Sequence, residues 1–151
     1  MKALLQRVNY AQVKVDAELV GEIGPGILAF IGLEKNDDQA VADKLLERIL
    51  AYRILADKAG KMNLSLRDTG GGLLLVSQFT LAAATDRGLR PGFSAAMPPA
   101  EANALYDYLV GRAAQLHENC ASGQFAADMK VSLENDGPVT FLLEMSRAGN
   151  S

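Results

Sequence analysis

Cysteine and histidine are almost absent from this chain of 151 residues, which has one of each, Cys120 and His117. A single cysteine excludes a disulfide within the chain and any metal site built from several cysteines. A single histidine excludes a site built from several histidines of one chain. We therefore expect no metal and no cofactor, and the scarcity of cysteine is typical of a reducing compartment.

Long apolar runs are missing as well. No stretch of the sequence reaches the roughly 20 apolar residues that a membrane-spanning helix needs. The opening residues, MKALLQRVNY, lack the long apolar region and the small-residue cleavage site of a signal peptide. We expect a cytoplasmic protein with no membrane partner.

An excess of positive charge is the third absence. The formal net charge is -3, which argues against a protein that coats the phosphates of DNA or of a long RNA. Any contact with nucleic acid is therefore expected to be local. Four basic residues lie near predicted loops or ends where such a contact is feasible, although a solvated surface charge is the simpler interpretation of each: Arg7, Lys14, Arg87 and Arg90.

The length of the chain is that of one ordinary domain, and 49% of its residues are hydrophobic, enough for one continuous core. We predict a single domain at residues 1–145. The last six residues, SRAGNS at 146–151, are predicted to form a flexible C-terminal tail.

The pattern of apolar residues predicts strands first and then a helix. Alternating valines in AQVKVDAELVGEIG indicate short strands, and the apolar run from Ile27 to Leu33 suits a strand that is buried on both faces. Helical spacing follows from Asp37 to about Leu55, and either Asn36 or Asp37 is expected to cap the start of this helix.

Strands are predicted again on both sides of a second helix. GGGLLLVSQFTL places a strand at Leu73 to Ser77, and the helix runs from Pro98 to about His117. The three glycines are predicted to form a loop, because neither the Lys-Ser/Thr of a P-loop nor a helix follows them. Gln124 to Met145 is interpreted as two strands joined through a Gly-Pro element.

This order of elements is not a regular alternation of strands and helices. It predicts an α+β fold with two main helices and a mixed or antiparallel sheet that tends towards a barrel.

The common nucleophile arrangements of acyl-transfer enzymes are missing. His117 and Cys120 are three residues apart, but no carboxylate at a clear spacing orients the histidine. A helix-terminal histidine and a packed thiol are therefore the better interpretation of this pair. A G-x-S-x-G nucleophile elbow does not occur either.

Two short segments are unusual in kind: SQFTL at Ser77 to Leu81 and NDGPVT at Asn135 to Thr140. The first places polar residues at the end of a core strand, where sites on rigid scaffolds often lie. In these segments the chain closely resembles the D-aminoacyl-tRNA deacylases, whose signatures are an SQFTL-type strand end and an N-x-G-P-[VT]-type turn. The resemblance covers nearly the whole chain, through GEIGPG, GKMNLS and FAADMKVSL, with a small departure at Gly92.

The resemblance implies an enzyme whose partner is the acceptor end of an aminoacylated tRNA. Members of the family hydrolyse the ester that joins a D-amino acid to tRNA, and also glycine mischarged on tRNA-Ala, as chiral proofreading in translation. The resemblance further implies a homodimer, in which Gly137 and Pro138, joined by a cis peptide bond, reach into the active site of the other subunit. There they would exclude an L side chain by a rigid clash. Arg7 either holds this loop through its main-chain oxygens, as the family suggests, or is a strand-surface arginine.

The SQFTL segment would act on the other side of the scissile carbonyl. Main-chain N–H groups around Gln78, Phe79 and Thr80, following Ser77, are expected to hold the developing oxyanion. Thr80 is either a nucleophile or a residue that shapes the site. No base is visible to activate it, so we favour attack by water with help from the 2′-hydroxyl of the substrate.

Phe125 and Met129 have two interpretations. Aromatic and thioether surfaces suit the face of a base, so the two residues either line a pocket for the terminal adenosine or belong to the core.

Two other functional classes stay open. A hydrolase of a different acyl ester that uses Thr80 covalently would show a burst of acyl-enzyme. A noncatalytic module that recognises free D-amino acids or RNA ends would bind its ligand without turnover.

Overall fold

The computed structural model describes residues 1–147 and 149–150. Within these residues the strands are β1 (Lys2–Val15), β2 (Glu18–Ile23), β3 (Gly26–Gly32), β4 (Leu55–Ala56), β5 (Met62–Leu64), β6 (Gly72–Ser77), β7 (Cys120–Ser122), β8 (Lys130–Ser146) and β9 (Gly149–Asn150). The helices are α1 (Gln39–Ala51), α2 (Leu66–Thr69) and α3 (Pro99–Leu116), and a 3₁₀ helix spans Phe79–Ala82.

One mixed sheet organises the molecule. Its strand order is β7-β6-β3-β1-β8-β9, and β2 also pairs with β1. The β3/β6 and β6/β7 pairs are parallel, whereas β1 is antiparallel to β2, β3 and β8. The sheet curls into a nearly closed barrel, so the predicted α+β class with a barrel-like mixed sheet and two main helices is confirmed.

The central strands β3 and β6 are buried on both faces, as predicted for residues 27–33. Alternate residues, such as Ile27 and Leu73, face a core that is shared with α1 and α3. The residues between them, such as Leu28 and Leu74, face a second apolar cluster on the opposite side of the sheet. A strand that is covered on both sides is held rigidly, which matters because the candidate site lies at the end of β6.

Helix α1 differs from its predicted bounds at both ends. Its N-cap is Asp38, whose carboxylate accepts a hydrogen bond from the Val41 N–H, so the expected caps Asn36 and Asp37 are wrong. The helix ends at Ala51 rather than near Leu55, because Leu55 instead pairs with β5.

Helix α3 agrees closely with its prediction, since Pro98 precedes it and His117 ends it. Within the described part of the chain, none of the helices α1, α2 and α3 is both long enough and apolar enough to cross a membrane.

Gly70 and Gly71 lie in the predicted loop, whereas the third glycine already belongs to a strand, one residue earlier than predicted. Gly70 ends α2 with a left-handed backbone, φ +70°, which glycine adopts without steric cost. Gly72 begins β6, where a Cβ atom would lie 2.7 Å from the Ile23 side chain. Gly70 therefore allows the tight turn after α2, and Gly72 allows β6 to pack closely against Ile23.

The C-terminal region is one long strand rather than the two predicted. In β8, Asn135 lies opposite Val8, and Thr140 lies opposite Gln6. The four residues from 136 to 139 thus face a single residue of β1, Arg7, and they bulge out of the ladder. We call residues 136–139 the Gly-Pro loop.

The predicted tail begins inside a strand. Ser146 is the last residue of β8, and β9 pairs back onto Met145 and Ser146. Ala148 and Ser151 lie outside the described residues, so the flexibility of the tail stays a prediction.

Candidate active site

The end of β6 leads directly into the 3₁₀ helix. The Gln78 N–H donates to the Ile31 carbonyl at 2.8 Å, so it is already used by the sheet and is not a free donor for an oxyanion. The main-chain N–H groups of Phe79 and Thr80 follow in the first turn, and no acceptor for them occurs among the described residues. Of the three expected donors, two therefore remain.

Thr80 is exposed and has a side-chain partner. Its Oγ1 accepts a hydrogen bond from the Nε2 of Gln78. An amide N–H is a donor only and cannot take a proton from the hydroxyl. This geometry gives Thr80 no general base, in agreement with a site-shaping role.

A pocket of about 740 Å³ opens beside this segment. Its lining includes Ser77, Gln78 and Phe79, and also Phe125 and Met129. The rest of the lining is largely apolar. A volume of this size is typical of sites for small molecules. The structure thus brings the SQFTL segment together with both residues that were proposed for an adenosine pocket, although Phe125 also packs against the core and Met129 against the second apolar cluster.

Aromatic rings mark the mouth of the pocket. Phe79 is 63% exposed, and its ring centroid lies 5.2 Å from that of Phe93, which is also exposed. Both residues line the pocket. Exposed aromatic pairs at a pocket mouth are well suited to contact a flat ligand.

Tyr106 of α3 contacts both β6 and the pocket residue Phe125, and the sequence analysis assigned it no role. Its hydroxyl donates a hydrogen bond of 2.9 Å to the main-chain oxygen of Leu75 in β6, and its ring centroid lies 5.8 Å from that of Phe125. Burial raises the pKa of the Tyr106 phenol well above its usual range, so the group remains a donor. A tyrosine on the apolar side of a helix is the signal that could have identified it.

The second site element is the Gly-Pro loop, which Arg7 holds. Arg7 Nε donates to the Asp136 main-chain oxygen at 2.8 Å, and Nη1 donates to the Ile54 oxygen at 3.0 Å. The Asp136 carboxylate lies 3.6 Å from the same guanidinium. Only 15% of the Arg7 side chain is exposed. The alternative of a strand-surface arginine is therefore wrong, and Arg7 is not a solvated surface charge.

Gly137 is required by its backbone and by its surroundings. Its φ of +147° lies where L residues are strained, and a Cβ atom would lie 2.6 Å from Val139 Cγ2 and 3.3 Å from Arg7 Nη2. The bond between Gly137 and Pro138 is cis.

Asn135 closes the base of the loop and was not assigned a role from the sequence. Its Oδ1 accepts from the Val139 N–H at 2.7 Å, and its Nδ2 donates to the Val139 oxygen at 3.1 Å. The same Nδ2 lies 3.2 Å from the Thr140 hydroxyl oxygen. An asparagine at the start of a turn is a recognisable signal for such contacts.

The Gly-Pro loop lies outside the pocket of its own chain. Gly137, Pro138 and Arg7 are not among the residues that line the pocket, and neither is Thr80. Residues 136–138 are exposed on the surface.

The remaining candidates are structural. His117 Nε2 lies 2.6 Å from the Gly71 oxygen, at the end of α3. Burial raises the pKa of the Cys120 thiol to about 11, so the thiol stays protonated at neutral pH. The packed thiol and helix-terminal histidine are confirmed. No group of three or more metal-ligating side chains occurs in the described residues.

Comparisons with known proteins give a consistent result. The family model described as D-Tyr-tRNA(Tyr) deacylase matches residues 4–144. A D-aminoacyl-tRNA deacylase of Stutzerimonas stutzeri is 61% identical over 95% of this chain and 99% of its own, and one of Enterobacter sp. is 58% identical over 96% and 100%.

Solved structures show the same architecture. The c-Myc DNA Unwinding Element Binding Protein is 37% identical with a TM-score of 0.91, over 95% of this chain and 98% of that one. A probable eukaryotic D-amino acid tRNA deacylase, 16% identical over 93% and 97%, has a TM-score of 0.80 and shares the fold.

Proposed function

Because the chain belongs to the D-Tyr-tRNA(Tyr) deacylase family, we propose that it hydrolyses the ester bond of D-aminoacyl-tRNA to a D-amino acid and tRNA. One observation carries this proposal. The family match spans residues 4–144, and both signature segments of that match form defined structural elements, the SQFTL turn beside the pocket and the Gly-Pro loop.

The chemistry proposed for the SQFTL turn is stabilisation of an oxyanion. The carbonyl of the ester accepts hydrogen bonds from the main-chain N–H groups of Phe79 and Thr80, which have no acceptor of their own in the described structure. Water attacks the carbonyl carbon, and the bond to the ribose oxygen breaks. The ribose oxygen takes a proton, and the neighbouring 2′-hydroxyl of the substrate assists. No covalent bond to Thr80 forms.

The pocket beside the turn is proposed to hold the terminal adenosine. Phe125 and Met129 offer an aromatic ring and a polarisable thioether to the face of the base. The pocket volume of about 740 Å³ is large enough for a nucleoside and the amino acid attached to it. Binding at one acceptor end is compatible with the net charge of -3, because few phosphates need to be contacted.

The Gly-Pro loop is proposed to select the hand of the amino acid. Main-chain oxygens at Gly137 and Pro138 fix the ammonium group, so the other substituents of the stereocentre point in defined directions. An L side chain then meets the main chain, whereas a D side chain points away from it. Glycine has no side chain to exclude, so glycyl-tRNA, including glycine mischarged on tRNA-Ala, is a substrate as well.

A homodimer would complete the site. The Gly-Pro loop is exposed and lies outside the pocket of its own chain, beside the exposed apolar residues Phe141 and Leu142. Among the described residues, the outer edge of β8 pairs with β9 at Met145 and Ser146 and with no other strand. We propose that a second copy packs here and that each copy inserts its loop into the pocket of the other.

Subunit mixing tests this arrangement. Gly137→Ala inactivates the loop, and Phe79→Pro removes an N–H from the turn. Each variant alone is expected to be inactive. A mixture of the two, exchanged through mild denaturation, is expected to regain about a quarter of the wild-type sites, because half of the dimers are mixed and each has one intact site. No recovery would mean that loop and turn act within one chain.

The proposed role is chiral proofreading in the cytoplasm, where aminoacyl-tRNA is made and used. A DNA-directed role, as the name of one structural neighbour describes for that protein, is disfavoured by the net charge.

The decisive test of an enzyme against a binding module is single-turnover hydrolysis of a purified D-aminoacyl-tRNA, with and without a chelator. We expect full release of the amino acid at the same rate in both samples, because one cysteine and one histidine provide few ligands for a metal. Retention of the ester by a protein that binds the tRNA would establish the noncatalytic class instead.

A further inference from the structure

We infer that Asn135 is a specificity-determining positioning residue: its side-chain amide sets the position of the Gly-Pro loop and thereby the rejection of L-aminoacyl esters. This inference rests on the proposed function, and it assigns the loop a second support that is independent of Arg7.

The contacts of Asn135 span the whole loop. The residue precedes the loop, and its Oδ1 and Nδ2 reach the N–H and the oxygen of Val139, the last loop residue. Nδ2 also reaches the hydroxyl of Thr140, the next residue of the strand. One planar amide therefore fixes the distance and the orientation between the two ends of the loop.

No other side chain of the described residues bonds to both ends of the loop. Asn135 and Thr140 each pair with β1, but between them the ladder is interrupted. Arg7 contacts the loop from outside, at the Asp136 oxygen. Arg7 thus restrains the first half of the loop, and Asn135 restrains the second half.

The chemistry of the contacts requires an amide. Val139 presents both a donor and an acceptor to the side chain, so the side chain must accept through one atom and donate through another. We call the side-chain contacts of Asn135 with Val139 and Thr140 the clamp. Aspartate has the same shape but only acceptors, so it keeps the bond from the Val139 N–H and must lose the bond to the Val139 oxygen, whereas the Thr140 hydroxyl can turn and donate to it. Asn135→Asp therefore removes one contact of the clamp and places a negative charge against the Val139 oxygen.

A loosened loop changes selectivity in one direction. Rejection of an L side chain depends on main-chain atoms that stay in place when the side chain collides with them. A loop that has lost its contacts with Asn135 can move and so relieve the collision. The D and glycyl esters do not meet the clash, so their rates fall together and only through poorer positioning. The rate of the L ester relative to the other two rises.

The experiment measures single-turnover deacylation of D-, L- and glycyl-tRNA by wild type, Asn135→Asp, Thr140→Val and Thr140→Ser. We expect the ratio of the D rate to the L rate to fall about tenfold in Asn135→Asp, where a carboxylate replaces the donor to the Val139 oxygen, and about threefold in Thr140→Val, which loses one hydrogen bond of the clamp. Thr140→Ser keeps the hydroxyl and is expected to keep the ratio.

The charge that Asn135→Asp introduces needs a matched control. Ser132 is exposed on β8, three residues before Asn135, and lies opposite Gln12 of β1, so Ser132→Asp adds a negative charge nearby without changing a contact of the loop. It is expected to leave the ratio unchanged. A reduced ratio in Ser132→Asp would overturn the assignment to the clamp.

The outcomes separate the two proposals. If wild type does not distinguish the D ester from the L ester, the chirality filter fails and this inference fails with it. If wild type distinguishes them and Asn135→Asp does so equally well, only the inference fails. If Asn135 had a purely structural role, Asn135→Asp would lower the melting temperature and would lower the D, L and glycyl rates by the same factor. That result would overturn the inference.

A readout without substrate guards against a variant that folds poorly. Exchange of the Val139 amide hydrogen, measured by NMR, reports directly on the bond to Asn135 Oδ1. We expect fast exchange in Asn135→Ala and protection in Asn135→Asp. Equal protection in wild type and Asn135→Ala would overturn the clamp.

Discussion

Arg7 Nε lies 2.8 Å from the main-chain oxygen of Asp136, although 129 positions separate the two residues in the sequence. The same guanidinium donates to the Ile54 oxygen at 3.0 Å. One side chain on β1 therefore ties the Gly-Pro loop to the segment that follows α1. Because the two acceptors are main-chain atoms, the contact does not depend on the side chain of Asp136.

Replacement of Arg7 by lysine tests this tie. Lysine keeps the charge, but its single ammonium group cannot reproduce the planar fork that reaches both oxygens. We expect Arg7→Lys to lower the single-turnover rate on D-aminoacyl-tRNA about tenfold or more. Arg67, an exposed arginine 4.0 Å from Glu47, provides the control Arg67→Lys, which should match wild type. Equal rates for both variants would contradict the role of Arg7.

Gly137→Ala tests the space beside the loop. The new Cβ atom would lie 2.6 Å from Val139 Cγ2 and 2.9 Å from the Val139 nitrogen, so the loop must shift. We expect a loss of deacylation of at least about a hundredfold on D and glycyl esters, since a shift of this kind misplaces the reacting groups.

The matched control for Gly137→Ala is Gly111→Ala. Gly111 lies within α3, and a Cβ atom there meets nothing within 4 Å. This change should leave the rate unaltered and raise the free energy of unfolding by about 0.5–1 kcal/mol, because alanine favours a helix. Normal deacylation by Gly137→Ala would exclude the loop from the site.

Thr80→Ala separates covalent from water-mediated hydrolysis. Gln78 donates to the Thr80 hydroxyl and cannot act as its base, so we expect the variant to retain most of its single-turnover rate. Rapid acid quench followed by mass spectrometry detects an acyl-enzyme. An acyl group trapped on Thr80 of the wild-type protein would show that the hydroxyl is the nucleophile.

Tyr106→Phe tests the support beneath β6. The change removes the hydrogen bond to the Leu75 oxygen, which still accepts from the Gly123 N–H at 2.8 Å, so the cost in unfolding free energy should be about 0.5–1.5 kcal/mol. The rate on D-aminoacyl-tRNA should fall less than in Arg7→Lys, because Tyr106 does not line the pocket. Urea titrations at neutral pH measure the cost.

The same variant has an expected pH signature. Burial raises the pKa of Tyr106 in the folded state above the ordinary value of 10.0. Above pH 10 the unfolded chain therefore loses a proton that the folded protein keeps, and stability falls as the pH rises. Cys120, whose pKa is raised to about 11, acts in the same direction, so Cys120→Ala is the parent for this comparison. A decline that is equally steep with Tyr106→Phe would exclude Tyr106 as its source.

Periodicity in the sequence was sufficient for the main elements. The apolar run near Ile27 and the proline that precedes α3 predicted a doubly buried strand and a helix start that the structure confirms. The end of α1 was predicted too late, because the apolar residues Ile54 and Leu55 continue the helical pattern although Leu55 pairs with β5. Tertiary pairing here outweighs local spacing.

The site was accessible from the sequence only in part. Resemblance identified the SQFTL turn and the Gly-Pro loop, but the contacts that position them join residues distant in sequence. Arg7 with Asp136 and Tyr106 with Leu75 are examples, and no local pattern specifies such pairs. The hydrogen bond from the Gln78 N–H to the Ile31 oxygen exists because β3 pairs with β6. The spacing of apolar residues in the sequence does not reveal which strands pair.

The most direct test of the whole account is deacylation of one tRNA charged in turn with the D and L forms of the same amino acid and with glycine. We predict rapid loss of the D and glycyl esters while the L ester persists for as long as it does without protein. Hydrolysis of the D and L esters at equal rates would contradict the chirality filter at Gly137 and Pro138, and survival of all three esters would contradict the enzyme itself.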